Sequence, residues 1–372
     1  MTDKRIEKRL ERKVRVRVVD AAESFPAITD NVSEHGLKIR SGRRYEANKR
    51  VTIVIDPDRE APPLEIPATV SWDGERSSPE GAVTREVGFR VDDPPPEFFE
   101  QLLTHDGERL FDRLERIHAL PMIVLDLMAL LNDPSSSSVL IERKLYGDQA
   151  LAAYILRLVN SPIYGFYDRI SSLRTATSLL GFSTLRSHLM TYFTQTLLHA
   201  ISDKTLQRHL WRHALAAALF ARRIAGKCGE DGDVAYVAGL LHDIGKAGLF
   251  FLDPDGYRQV MAEYAKHPID FAEVEAQQFG FSHLPVGSML LARWNLPETL
   301  VEVVRHHHRP DRAPSQSKLS FITAAANGLA HELGLHGHWA VDPWLSRLDI
   351  DPEEALSWTE SIRLEVEEIL GA

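Results

Sequence analysis

The hydrophobic period of the chain changes once, at three consecutive prolines, and this change limits what the chain can fold into. Before residue 91, apolar and polar side chains alternate, as in Val14, Val16 and Val18, which is typical of β-strands. Beyond residues 94–96, apolar residues recur at helical spacing. Three prolines can continue neither a strand ladder nor a helix. The sequence therefore predicts an α+β multidomain protein, with a β-rich domain at residues 1–98 and an all-α domain at residues 99–372.

The first domain has the pattern of a small antiparallel β-barrel. Its apolar runs are short, as at residues 51–55 and 68–72, and turn pairs such as Ser41-Gly42 and Asp73-Gly74 separate them. Closing a sheet into a barrel removes its unpaired edges. A small barrel is therefore the predicted architecture.

Helical periodicity covers much of the second domain. Asp351 is placed to cap the last helix, with Pro352 at its first position. The other predicted helices lie around residues 98–114, 122–131, 149–160, 172–180, 205–227, 233–241, 270–279, 285–294 and 298–306.

Composition and charge favour a soluble, cytoplasmic protein. The only cysteine, Cys228, excludes an intramolecular disulfide framework, and no uncharged run approaches the roughly 20 residues of a membrane span. The formal charge of −10 makes nucleic-acid binding by the whole chain unlikely on electrostatic grounds. Residues 1–17, however, carry eight Lys/Arg against three Asp/Glu, so any anionic partner of this arm should be local.

Two short motifs in the first domain suit a guanine nucleotide. Arg5, Arg9 and Arg12 precede the first strand, and the second strand runs into residues 31–36 (NVSEHG). A guanidinium can stack on a purine or donate two hydrogen bonds to guanine, and it also neutralises phosphate. Asparagine and serine supply polar groups at a turn, and glycine permits close backbone approach.

This arrangement resembles the PilZ family, whose signatures are an RxxxR arm and a downstream [D/N]xSxxG. The resemblance implies that Arg5, Arg9, Arg12, Asn31, Ser33 and Gly36 bind cyclic di-GMP. The second motif matches at every specified position.

Two registers of the arginine arm remain open. Arg5 with Arg9 satisfies RxxxR, whereas pairing Arg9 with Lys13 implies weaker binding, because lysine cannot stack and fork as arginine does. The simpler alternatives are that residues 31–36 form only a turn, and that the arginines form a solvated or nucleic-acid-binding arm.

The second domain resembles the HDOD family over residues 110 to about 340. That family is related to HD phosphohydrolases and is generally regarded as a regulatory output module without demonstrated catalysis. The resemblance is carried by residues 148–150, 155–162, 170–176, 179–181, 211–213, 239–246, 279–283, 294–297 and 307–308.

The HDOD resemblance implies candidate metal ligands, because HD hydrolases bind Fe, Mn or Zn through a first His, a His-Asp pair and a later Asp. His213 matches the first ligand, and His242 and Asp243 match the pair. His283, His307 and His308 match additional histidines of a branch that cleaves cyclic di-GMP.

Asp243 and Lys246 are the weak catalytic candidates, since a lysine three residues beyond the aspartate could meet a substrate phosphate. A simpler interpretation is that the motif is a buried helix end closed by Gly245.

Two departures argue against catalysis. Asn327 stands where the family pattern places the last metal-binding Asp, and a neutral amide oxygen is a weaker ligand than a carboxylate. The GYP loop of the cyclic di-GMP hydrolases is also missing after His308. Six other histidines of this domain are interpreted as ordinary core or surface residues: His209, His267, His306, His331, His336 and His338.

The leading hypothesis is a cyclic di-GMP-responsive bacterial signalling protein, in which a PilZ sensor is coupled to a non-catalytic HDOD module that engages a protein partner. The alternative is a metal-dependent phosphohydrolase acting on a nucleotide or cyclic dinucleotide. A third hypothesis, nucleic-acid binding by the basic arm, is disfavoured by the acidic remainder.

Overall fold

The structure is a computed structural model of the 372-residue chain. It describes residues 15–20, 23–33, 36–41, 43–55, 63–77, 83–91, 98, 122–133, 135–161, 164, 169–266, 270–315, 317–333 and 342–371. By contact, the chain forms two compact units: Met1–Ile117 with Gly248–Met289, and His118–Ala247 with Leu290–Ala372. We refer to them as the barrel unit and the helical unit. The predicted boundary at residues 92–96 lies outside the described residues.

The barrel unit contains a closed six-stranded antiparallel barrel with strand order β1-β2-β3-β6-β5-β4. The predicted small antiparallel barrel is therefore confirmed. Its strands are β1 (Arg15–Asp20), β2 (Glu23–Ser33), β3 (Gly36–Arg40), β4 (Arg50–Ile55), β5 (Leu64–Ser77) and β6 (Val83–Val91).

Alternation places the apolar side chains inside this barrel. Val18, Leu37, Ile39, Ile53 and Val87 are fully buried, as expected for the inward positions of a closed sheet. Two bulges interrupt the ladders, one in β2 between Thr29 and Asn31 and one in β5 between Val70 and Trp72. Each inserts one extra residue and thereby turns the following side chains relative to the preceding ones.

The rest of the described chain is mainly helical, which confirms the predicted helical domain. The helices are α1 (Met122–Asn132), α2 (Ser138–Leu145), α3 (Gln149–Val159), α4 (Leu173–His199), α5 (Lys204–Cys228), α6 (Gly232–Leu241), α7 (Ile244–Leu252), α8 (Pro254–Lys266), α9 (Phe271–Phe279), α10 (His283–Arg293), α11 (Glu298–His306), α12 (Lys318–His331), α13 (Asp342–Arg347), α14 (Pro352–Ser357) and α15 (Thr359–Gly371). A short 3₁₀ helix spans Pro310–Arg312.

Capping side chains explain several helix starts. Asp203 accepts hydrogen bonds from the first backbone N–H groups of α5, and Asp231 does the same for α6. Asp351 caps α14 with Pro352 in the first turn, as predicted. Gly181 interrupts α4 with a φ of 74°, a conformation that glycine adopts without a Cβ penalty. The predicted helix at residues 172–180 therefore ends where glycine permits a break.

The interpretation of Gly245 as a helix stop is wrong. α6 ends at Leu241, His242 and Asp243 form the turn, and α7 begins at Ile244, so Gly245 lies in the first turn of the next helix. The His-Asp pair therefore occupies the two-residue turn between α6 and α7.

One apolar stretch, residues 232–252, is long enough by length and composition to cross a membrane. Of its most apolar window, 89% is buried inside the protein, which is typical of a core helix of a globular protein. It is the only such stretch among the described residues.

Helices α5 and α6 pack unusually closely at Gly239. A Cβ added there would lie 2.6 Å from the carbonyl oxygen of Ala217 and 2.8 Å from its carbonyl carbon. Because these are backbone atoms, they cannot move aside as a flexible side chain would. Glycine at this position therefore sets the separation of the two helices.

We expect Gly239→Ala to lower the free energy of unfolding by about 1–3 kcal/mol, the usual cost of forcing an extra carbon into a packed interior. Chemical denaturation of the full chain would measure it. Gly226→Ala is the matched control, because it lies in α5 with no atom within 4 Å of the added Cβ. The control should be neutral or stabilise by up to about 1 kcal/mol. Equal effects at both positions would contradict the close approach.

Candidate functional site

The first candidate site lies in the helical unit, where α5 and α6 bring two histidines together. His213 projects from α5 four residues before Ala217, and His242 follows α6 three residues after Gly239. Both are buried, with 3% and 0% of their surfaces exposed. The close helix approach at Gly239 therefore also sets the distance between the two imidazoles.

The ligand atoms of this cluster converge. His213 Nε2 lies 3.2 Å from His242 Nε2, and Asp243 Oδ2 lies 3.4 Å from the former and 3.3 Å from the latter. A metal with tetrahedral ligands at about 2.1 Å places those ligands about 3.4 Å apart. The three atoms thus have the spacing and the chemistry, two nitrogens and one anionic oxygen, that Zn, Fe or Mn requires.

Backbone carbonyls select the metal-binding tautomer of two histidines. His242 Nδ1 lies 2.7 Å from the oxygen of Gly239, and His307 Nδ1 lies 2.9 Å from the oxygen of Val304. A carbonyl can only accept, so Nδ1 carries the proton in each neutral ring, and Nε2 presents its lone pair. His307 Nε2 lies 3.5 Å from Asp243 Oδ1, which places this third imidazole beside the same carboxylate.

Lys246 pairs with the cluster's carboxylate. Its Nζ lies 2.6 Å from Asp243 Oδ2, and Lys246 is only 9% exposed. The proposed encounter of this lysine with a substrate phosphate would therefore have to compete with an ion pair to Asp243. The ammonium thus supplies one positive charge next to the Asp243 carboxylate.

Burial and charge set the protonation states in this cluster. Burial lowers the pKa of His213 well below its ordinary value, and the neighbouring His331 lowers it further. Burial likewise lowers the pKa of His307, with His308 adding to the effect. For Asp243, burial raises the pKa, but the electrostatic influence of the neighbouring His242 and Lys246 and two hydrogen bonds outweigh it, so the pKa lies well below its usual range. Neutral imidazoles and an ionised carboxylate are the forms that bind metal.

Helix α12 contributes two residues on one face. Asn327 Oδ1 lies 3.0 Å from His213 Nε2, and the side chain is buried. His331, one turn later, has its ring centroid 4.7 Å from that of His213. Sequence reasoning interpreted His331 as an ordinary residue and missed it. Its i+4 spacing from Asn327 was the available signal.

The remaining predicted histidines are also buried. His308 has its ring centroid 4.5 Å from that of His307 in the helical unit. His283 belongs to the barrel unit, where its Nδ1 lies 2.6 Å from Glu275 Oε2 and its backbone N–H donates to the same oxygen at 2.8 Å. Glu275 and His283 both have no exposed surface. The carboxylate therefore fixes the orientation and tautomer of His283, as it does for many metal-ligating histidines.

The second candidate site is on the barrel, where β2 and β3 meet. Asn31 pairs with Lys38, and Ser33 pairs with Gly36 at the end of the two strands. Ser33 Oγ donates to the Gly36 carbonyl oxygen at 3.4 Å, so the motif closes this strand connection. Arg5, Arg9 and Arg12 lie outside the described residues.

A charged network surrounds this motif. Lys38 Nζ lies 2.6 Å from Asp30 Oδ2 and 3.2 Å from Glu86 Oε1. The hydrogen bond from Lys38 is the main reason that the pKa of Asp30 is lowered. Arg90 on β6 is exposed and stands opposite Gly36 in the ladder. Sequence reasoning missed this arginine, because the pairing of β3 with β6 has no local sequence signal.

Comparison with known families identifies both parts of the chain. The model of the PilZ domain matches residues 3–105, and the model of the HDOD domain matches residues 117–310, just over half of the chain. The order of the two matches is the predicted order.

Similar proteins cover parts of the chain. An HDOD domain protein of unknown function from Geobacter sulfurreducens is 29% identical, with a TM-score of 0.57, and the match covers 70% of this chain and 93% of that one. An uncharacterized protein from Treponema pallidum is 27% identical over 216 residues, which are 58% of this chain and 42% of that protein. Ribonuclease Y from Thermus thermophilus is 28% identical over 151 residues, which are 41% of this chain and 21% of the ribonuclease. The chain thus matches less than half the length of these two curated relatives.

The protonation states of His213 and His307 generate a pH prediction. Both pKa values lie below the ordinary 6.5 in the folded chain, so below pH 6.5 the unfolded chain binds more protons. Stability of metal-free protein should therefore fall as pH decreases below about 6.5, by at most about 1.4 kcal/mol per pH unit for each such histidine. Asp243 does not contribute in this window, because its ordinary value of 3.8 lies below it.

Denaturation of chelator-treated protein between pH 7.5 and 5 would measure this slope. We expect His307→Gln to reduce the slope, while His199→Gln, at an exposed position on α4, should leave it unchanged. A slope that His307→Gln does not alter would contradict the buried neutral histidine.

Proposed function

We propose that this chain, which belongs to the HDOD domain family and carries a PilZ domain ahead of it, is a cyclic di-GMP-responsive signalling protein. A PilZ domain followed by an HDOD domain supports a role in cyclic di-GMP signalling. The observation that carries the proposal is the complete motif of residues 31–36 at the strand connection of a closed barrel.

In this proposal the motif and the basic arm hold the ligand together. Asn31 and Ser33 supply short polar groups, and Gly36 allows the ligand to approach the backbone. Arg5 and Arg9 would supply the guanidinium groups that stack on or fork to guanine and neutralise phosphate. Binding would thus order the arm against the barrel and convert nucleotide concentration into a change of shape.

The HDOD part would be the output module that engages a protein partner in the cytoplasm. Two features support a non-catalytic role. Asn327 supplies a neutral oxygen beside His213 where related hydrolases use a carboxylate, and Lys246 already neutralises Asp243. Both reduce the affinity of the cluster for a divalent cation.

Calorimetry with cyclic di-GMP and the full chain tests the sensor. Wild-type protein should release or absorb heat on binding, and Asn31→Ala and Arg9→Ala should each weaken affinity by at least about tenfold, because a hydrogen bond to a charged group contributes about 1.5–3 kcal/mol. Absence of binding by folded wild-type protein would overturn the sensor proposal.

Two further variants sharpen this experiment. Arg44→Ala is the matched control, because its side chain is 83% exposed on the barrel unit outside both motifs. This variant should leave the affinity for cyclic di-GMP unchanged. Arg5→Ala separates the two arm registers: a loss equal to that of Arg9→Ala supports the Arg5 and Arg9 pair, and unchanged affinity supports Arg9 with Lys13. A basic arm that binds nucleic acid would instead show affinity for RNA or DNA that falls steeply with salt.

A second candidate function is metal-dependent phosphohydrolysis, which the convergence of His213, His242 and Asp243 favours. A bound dication would supply Lewis acidity for cleavage of a phosphodiester bond. The three side chains would hold it, and Asn327 would complete the set weakly through its amide oxygen. One matched relative is named as a ribonuclease, which gives this alternative a further point of support.

Metal titration and elemental analysis test the second candidate. We expect weak Mn²⁺ binding by wild-type protein and none by His242→Ala. Asn327→Asp should raise the affinity for Mn²⁺ by about tenfold or more, because it adds a carboxylate next to His213. Residues that contact metal ligands usually have effects of that size. His199→Ala is the control for loss of a histidine. In a phosphate-release screen, activity that His242→Ala leaves intact would eliminate a hydrolase at this cluster.

A further inference from the structure

A cavity of about 360 Å³ lies within the helical unit. Its walls come from α1, α4 and α6 and from the turn between α10 and α11. This volume falls in the range of small-molecule sites in proteins, which is roughly 300–1,000 Å³. Among the described residues that line it, none belongs to the cluster of His213, His242 and Asp243. The cavity is therefore a separate candidate site.

The inner wall of this cavity is apolar. Met190 has no exposed surface, and Val237, Trp294 and Leu300 are each at most 7% exposed. The Trp294 ring is held edge-to-face against Phe193, with 5.0 Å between the two ring centroids. Apolar side chains that face a cavity make dispersion contacts with carbon atoms that enter it. The inner wall therefore favours the apolar part of a ligand.

Two methionines allow this wall to adapt to a flexible tail. Met128 on α1 and Met190 on α4 both line the cavity. A thioether side chain is unbranched and rotates about three bonds, so it can follow the shape of whatever packs against it. The wall can thus accommodate a chain of methylene groups in more than one conformation.

The turn between α10 and α11 forms part of the cavity wall. Asn295 adopts the left-handed conformation with a φ of 53°, and the Leu296 N–H donates to the Leu291 carbonyl at 3.1 Å. These are the features of a Schellman C-cap. The reversal leaves Trp294 in the interior and Asn295 exposed. Residues 294–297, which carry part of the HDOD resemblance, therefore shape this cavity.

The cavity reaches the surface of the helical unit. Ala129 on α1, Val234 on α6 and Thr299 on α11 line it and are exposed. Because exposed residues from three helices border it, a ligand can enter without unfolding any of them. A polar group of the ligand can then stay near the surface while its apolar part contacts the inner wall.

Arg186 gives one wall a positive charge. It lies on α4 and lines the cavity, where its guanidinium donates to the Leu131 carbonyl at 3.3 Å and to Ser183 Oγ at 3.4 Å. Both of these acceptors are neutral, so the two bonds orient the guanidinium without cancelling its charge. A guanidinium oriented in this way is well suited to bind a carboxylate through parallel hydrogen bonds.

The acidic residue on the same wall has a cationic partner. Asp233 Oδ1 lies 2.8 Å from Arg222 Nη2 and 3.3 Å from Ser187 Oγ, and its Oδ2 lies 3.4 Å from Thr184 Oγ1. Arg222 therefore offsets the negative charge of Asp233. A ligand with two negative charges would still be repelled by Asp233 more strongly than a ligand with one.

We infer that this cavity binds a small amphipathic monocarboxylate, with its carboxylate on Arg186 and its flexible apolar tail against Met190, Trp294 and Leu300. The inference goes beyond the proposed cyclic di-GMP binding and does not depend on it, because the described lining residues all lie in the helical unit. Contact with the apolar wall provides affinity. The single guanidinium, beside a carboxylate that is already paired, selects one negative charge.

Calorimetry of the full chain with octanoate tests the inference, and 1-octanol is the comparison ligand, because it has the same tail without a charge. Octanoate should bind one site per chain with a dissociation constant below about 1 mM, a modest affinity for a ligand of this size. The alcohol should bind at least about threefold more weakly, because it cannot accept charge-assisted hydrogen bonds from a guanidinium.

A matched pair of variants locates the binding site. Ala129→Trp places an indole at an exposed position that lines the cavity, so it should abolish octanoate binding by covering the entrance. Ala153→Trp makes the same change at an exposed position on α3 that is not a lining residue. This control should leave the affinity for octanoate unchanged.

Arg186→Gln tests the carboxylate contact through the preference for octanoate over 1-octanol, which a general loss of stability would not change selectively. The variant should lose this preference and bind 1-octanol as the wild type does, since glutamine removes the charge and leaves the apolar wall in place. Arg208→Gln, at an exposed position on α5, should keep the preference.

Three results would overturn the inference. The first is the absence of saturable octanoate binding by folded wild-type protein, whether or not that protein binds cyclic di-GMP. The second is octanoate binding that survives Ala129→Trp, or that Ala153→Trp abolishes equally. The third is a preference for octanoate over 1-octanol that persists in Arg186→Gln.

Discussion

The backbone contact between α5 and α6 at Gly239 is the constraint on which the helical site depends. With no Cβ between them, the chain around Ala217 and that around Gly239 come within van der Waals range. His213 lies one helical turn before Ala217, and His242 lies three residues after Gly239, so their Nε2 atoms are 3.2 Å apart. The Gly239 carbonyl then fixes the tautomer of His242. One residue therefore controls both the distance and the chemistry of the imidazole pair.

Much of the architecture could be predicted from the sequence, because the signals were local. Alternation over Val14, Val16 and Val18 predicts a strand, and Asp351 followed by Pro352 predicts a helix start. The family motifs likewise indicated His213, the His-Asp pair and Asn327. Their roles as ligands stay predictions, although the structure brings their polar atoms together.

What the sequence could not provide is the pairing between distant segments. Asn31 and Trp72 are 41 residues apart in the chain, yet pairing through Lys38 and Gly88 places them in one row across the barrel, and two bulges shift the registers that produce this row. A shift of one residue would turn either side chain to the opposite face. The ion pair of Lys246 could not be predicted from the sequence either. Its spacing from Asp243 suggested a phosphate contact, which stays a prediction, and the structure places its ammonium 2.6 Å from the Asp243 carboxylate.

The charge balance of the helical cluster explains how it remains buried without requiring a dication. With His213 and His307 neutral, the Asp243 carboxylate is balanced by Lys246, and Asn327 adds no charge. An aspartate at position 327 would place a second carboxylate beside His213, and an uncompensated buried charge costs several kcal/mol. In a metalloenzyme the cation meets that cost. Asparagine at this position therefore adds no negative charge that a metal would have to offset, and its amide oxygen lies within hydrogen-bonding distance of His213.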